Sequence, residues 1–97
     1  IDEADLHKNT PLHFAAFRGR DKALSWLVKK GAKINLKNKN GNTPLHYAVI
    51  AGKKKNVKIL LENGAVSNSK NKKGETPLQI AKKMFHFEII KILKKYK

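Results

Sequence analysis

The chain has no cysteine, which excludes disulfide staples, thiolate zinc sites and thiol nucleophiles. A small domain without disulfides fits a reducing compartment, so cytosol or nucleus is the expected location. Acidic residues are scarce: 7 stand against 22 Lys and Arg, for a net charge of +15. Such an excess attracts phosphate or acidic partners, although abundant Lys and Asn also fit a codon bias that solvated faces tolerate. No apolar run approaches the roughly 18 residues that a membrane span needs, and no signal core opens the chain. What is present suffices for one folded domain: 97 residues with 40% hydrophobic content, enough to bury about 60 to 65% of the unfolded surface.

A phrase recurs. "TPLHFAAFRG" at 10–19 returns as "TPLHYAVIAG" at 43–52 and, worn, as "TPLQIAKKMF" at 76–85. The interval of 33 residues also aligns Leu24, Val57 and Ile90, then Leu27, Leu60 and Leu93, then Gly31 with Gly64. A fixed period of this length marks a solenoid, in which each unit buries its apolar face against its neighbours. Thr10, Thr43 and Thr76 are N-caps by type and the following Pro suits the first helical position, so helices are predicted from Pro11, Pro44 and Pro77. Gly19 and Gly52 end the first helix of their units. A second helix follows, with a buried stripe at 23, 24, 27 and 28 and at 57, 60 and 61, closed by Gly31 and Gly64. Polar, Asn-rich turns containing Gly41 and Gly74 link the units.

These motifs cover nearly the whole chain, and the sequence resembles the ankyrin repeat family. The resemblance implies an all-α repeat solenoid of stacked helix-turn-helix units with projecting β-hairpin-like loops. The expected division is the tail of a preceding repeat at 1–4, repeats at 5–37 and 38–70, and a C-terminal capping repeat at 71–97. In that family the motif His ties the Thr hydroxyl to neighbouring loop backbone, a role that falls here to His13 and His46, and less well to Gln79.

Departures from the pattern are as informative. Lys8 stands where Gly41 and Gly74 stand, so the first tip must adopt a left-handed residue or relax. Lys82 replaces Ala16 and Val49, and Lys94 replaces Val28 and Leu61. Buried there without a partner, a Lys would cost several kcal/mol, so the last unit reads as a cap facing solvent. Phe85, displacing the turn glycine, is expected to extend packing in that cap, with Lys97 at or near a natural C-terminus.

Catalytic chemistry finds little support. His7 and His86 lie far apart on a linear stack, and His13 and His46 have framework roles, so no metal, cofactor or enzymatic activity is expected. The resemblance instead implies protein binding through loop tips and the inner face of the first helices. The residues so placed are Lys39, Asn40, Asn42, Lys72 and Lys73 on the tips, with Leu6, His7, Asn9 and Glu75, and Phe17, Arg18, Ile50, Ala51, Lys83 and Met84 on the helices. Phe17 and Ile50 share a register and are expected side by side in a basic frame, fitting a protein ligand with acidic and apolar residues. "GKKKN" at 52–56 opposes a helix dipole and reads as a solvated face, with an anion site as the alternative. Two other functions stay open: electrostatic binding to nucleic acid or an anionic membrane surface, and a structural or regulatory tail of an upstream catalytic or acyl-CoA-carrier domain. The domain is expected to be a monomer.

Overall fold

The computed structural model describes residues 1–96; Lys97, the expected chain end, lies outside them. Six helices form three antiparallel pairs: α1 Pro11–Arg18 with α2 Asp21–Lys29, α3 Pro44–Ile50 with α4 Lys54–Glu62, and α5 Pro77–Lys83 with α6 Phe87–Lys94. First helices pack on first helices and second on second, giving two layers whose long-range contacts run between successive pairs. No strand occurs among the described residues.

Each first helix begins as its Thr-Pro dictates. Thr10, Thr43 and Thr76 adopt extended backbone, and each side chain accepts from the amide three residues on while that residue's side chain answers the Thr amide. Two orphan donors are thus satisfied at every start. The second helices rely on burial instead, since Arg20, Lys53 and His86 at their caps make no side-chain capping bond. Leu24, Val57, Leu27, Leu60 and Leu93 fill the space between layers, and Leu12 and Leu45 close it from the other side. Ala23, expected in the buried stripe, is exposed. Its register mates Asn56 and Ile89 are buried, because they lie against the pair before them.

The tips are hydrogen-bonded turns that nest on one another. Lys39 N donates to His7 O at 2.9 Å and Lys72 N to Asn40 O at 3.0 Å. Gly41 permits the approach: it has φ 76°, and a Cβ built there would sit 2.8 Å from the Lys72 backbone nitrogen. Lys8, at the first tip, keeps the same left-handed turn with φ 62°, so that turn does not relax. Lys82 and Lys94 are exposed. Phe85 corrects an expectation. It holds φ 58° in the glycine's conformation, but the residue is 71% exposed and extends no core; among the described residues no further pair packs against the turn carrying it.

Candidate functional site

Two His residues set the frame on which the tips are mounted. His13 and His46 are 0% exposed. His13 Nδ1 accepts from Thr10 N at 3.0 Å, so Nε2 carries the proton and donates to Asn42 O at 2.9 Å. His46 repeats the arrangement with Thr43 N at 3.0 Å and Glu75 O at 3.0 Å. Burial pushes both imidazoles below their ordinary range, partly offset by these carbonyl bonds. Each therefore remains neutral and pins its own helix start to the next tip. Gln79 caps Thr76 equally well, through Oε1 at 2.9 Å, and makes only the local half of the arrangement.

A second framework runs along the tips, and three of its members, Asn9, Asn42 and Glu75, read from sequence as ligand-facing. Asp5, Asn38 and Asn71, 33 apart, each accept with Oδ1 from the amides two and four residues on. The amides of Asn38 and Asn71 then reach back, Asn38 Nδ2 to Asn9 Oδ1 at 2.8 Å and Asn71 Nδ2 to Asn42 Oδ1 at 2.9 Å. Asn42 is only 9% exposed, so it is corrected from a ligand-facing residue to a rung of this ladder. Asn9 and Glu75 share its register and its employment. Glu75 also accepts from Lys83 Nζ at 2.7 Å, and that ammonium together with the Asn71 amide holds its carboxyl below the usual range. Period 33 at 5/38/71 and 9/42/75 was the available signal.

The remaining inner-face residues divide into two patches. Phe17, 48% exposed, meets Tyr47 edge-on with centroids 5.7 Å apart. Ile50 lines a shallow depression of about 390 Å³ with Ile80, Met84, Lys73, Glu75 and Lys83. Phe17 and Ile50 thus sit in neighbouring patches, with Tyr47 between the first ring and the core. Ala51 is half-buried beside Ile50, and Lys39, Asn40 and Lys72 are exposed on the tips. Arg18 is placed elsewhere: with Phe14, Leu27 and Arg20 it lines a larger groove of about 650 Å³ on the outer side of the first helix pair. Phe14 is the register mate of Tyr47 and Ile80, which pack against a preceding pair.

Asn56 was not singled out from sequence. Completely buried, it donates through Nδ2 to the Ala15 and Ala16 carbonyls at 3.2 Å each, tying α4 to the end of α1. Nothing in its neighbours predicts it, since the same register holds Ala23 and Ile89.

Comparison with known proteins places this geometry. The profile of ankyrin repeats in three copies matches residues 1–71, stopping before the worn third helix pair. Over 41 residues the chain is 51% identical to the human transient receptor potential cation channel subfamily A member 1, covering 42% of this chain and 4% of that protein. It is 39% identical over 41 residues to ankyrin repeat protein OPG189 of vaccinia virus (strain Copenhagen), covering 42% of this chain and 7% of that protein. The chain thus spans less than a tenth of either relative.

Proposed function

The chain belongs to the ankyrin repeat family, whose repeats are general protein-interaction modules, and from that premise we propose that it binds a protein ligand on its inner face without catalysis. The depression lined by Ile50, Ile80 and Met84 carries this reading. Its floor is apolar, while Lys73 and Lys83 stand at its edge and Glu75 is already engaged by Lys83. Such a site suits one apolar side chain flanked by carboxylates, with Phe17 offering a second anchor one repeat away. Apolar and aromatic anchors concentrate binding energy, and a charged rim adds selectivity and rate.

Capture from lysate at about 0.15 M and again at about 0.5 M salt, with nuclease, tests it beside Phe17→Ala/Met84→Ala. Both side chains are substantially exposed, so the variant keeps its fold, with a melting midpoint lowered only by the lost Phe17–Tyr47 contact. A protein retained at high salt and lost in the variant supports the groove. Capture that vanishes with salt or nuclease and ignores the variant refutes it.

A further inference from the structure

One edge of the stack, distinct from the inner-face depression, carries features the repeat does not require. The turns between first and second helices lie directly on one another. A Cβ at Gly19 would fall 2.8 Å from Lys53 Cδ, and one at Gly52 would fall 3.1 Å from His86 Cε1. The three turns read "RGRDK" at 18–22, "GKKK" at 52–55 and "KKMFHFE" at 82–88. Leaving out Arg18, which lines the end groove, and Lys83, which is paired with Glu75, they bring six Lys or Arg against Asp21 and Glu88 to a single border.

At its far end the border turns aromatic. Phe85 and Phe87 are 71% and 67% exposed, with ring centroids 6.2 Å apart. Their register mates are Gly19 and Gly52, and Asp21 and Lys54, so neither ring is demanded by the fold. Phe85 moreover keeps a left-handed backbone that a bulky residue adopts at a cost. Beside them lies a shallow hollow of about 300 Å³ whose lining includes Lys54 and Phe87. Paired, largely exposed rings at the end of a basic border match a medium that deforms around them. Basic side chains are attracted to an anionic bilayer near its surface, and aromatic rings enter the headgroup boundary.

We propose that this edge docks on an anionic membrane surface, with Phe85 and Phe87 inserted at the headgroup level and the stacked turn lysines over the lipid phosphates and carboxylates. The occupant is an anionic bilayer because a border rich in Lys and Arg ends in two neighbouring, largely exposed rings, the combination that headgroup phosphates and the boundary beneath them accommodate together.

Co-sedimentation with unilamellar vesicles tests the assignment, using phosphatidylcholine alone and with about one-third phosphatidylserine at about 0.15 M salt. The 97-residue chain is expected to bind the mixed vesicles and to leave the neutral ones in solution. Phe85→Gly/Phe87→Ala, which removes only exposed rings and relieves the left-handed Phe, is expected to bind about tenfold more weakly or less while melting normally. Phe17→Ala/Met84→Ala is expected to bind vesicles unchanged, separating this edge from the inner-face site. Equal binding by the ring variant means diffuse charge attraction and overturns the proposal. Absence of binding to the mixed vesicles overturns it too.

Discussion

Acidification from pH 7.5 to 5.5 should weaken the fold through His13 and His46 in particular. Each ring is fully buried, and each Nδ1 already accepts a backbone amide. Protonation there replaces an acceptor with a donor facing a donor, and the attraction of Asp5 for His13 and of Glu75 for His46 is outweighed by burial. Both folded pKa values lie below the ordinary imidazole value of about 6.5, so below that pH the unfolded chain binds more protons than the folded one. Stability contributed by the neutral rings is therefore complete above about pH 6.5 and is lost as pH falls toward the folded values. One pH unit below, the loss reaches at most about 1.4 kcal/mol per ring, or about 2.8 kcal/mol for the pair. That is a large share of the stability of a small domain, about 5 to 10 kcal/mol. Asp5 and Glu75, whose pKa values lie below 3.8 and 4.5 respectively, titrate beneath this window. The fold carries its own control, because Gln79 builds the same capping box without a titratable group. Urea denaturation across the range should give a free energy that falls with pH for the native chain and a flatter profile for His13→Gln/His46→Gln. Identical slopes in the two proteins would refute the assignment of the pH response to these rings.

Other perturbations follow from the packing. Leu60→Ala, at a completely buried position in the middle pair, should lower stability by about 2 to 5 kcal/mol in urea melts, whereas exposed Lys94→Ala should stay within about 0.5 kcal/mol. Gly41→Ala and Gly74→Ala both impose a side chain on left-handed backbone, but only the first meets backbone within 2.8 Å, the second finding nothing within 4 Å. Thermal melts should thus show Gly41→Ala as clearly the more damaging, and equal midpoints would contradict the nesting of the tips. Asn56→Asp should destabilise more than Asn56→Ala, since a carboxylate would confront the Ala15 and Ala16 carbonyls that now accept its amide; the reverse order would contradict that orientation.

Much of the architecture was legible because the signals were local and repeated. Thr-Pro starts, turn glycines and the Leu27, Leu60 and Leu93 register each state a backbone requirement that sequence displays directly. Partner-facing positions were harder to read. Asn42 and Glu75 have the polarity of exposed tip residues, and only three-dimensional proximity reveals that their groups are consumed by Asn71 and Lys83. Arg18 follows Phe17 in sequence, yet the helix turns it onto the end face with Phe14. Asn56 offered no warning, because a buried amide is justified by the carbonyls it meets, and these lie 40 and 41 residues away. Phe85 showed its departure but not its consequence: exposure depends on what lies beyond the turn.

The histidine bonds also bear on how quickly the chain reaches its native state. His13 closes on Asn42 and His46 on Glu75, each across 29 residues, and the amide of Asn56 spans no more than 41. Every such closure joins one unit to its immediate neighbour, so the entropy of forming it does not grow with the number of units. Assembly of this kind proceeds as a zipper, starting wherever one interface forms first and advancing by repeated steps of equal length. The same steps run in reverse at the last unit, where Gln79 caps its own helix and holds no downstream carbonyl among the described residues. That end is where the zipper should open first, and amide hydrogen exchange should accordingly be faster along α6 than along α4.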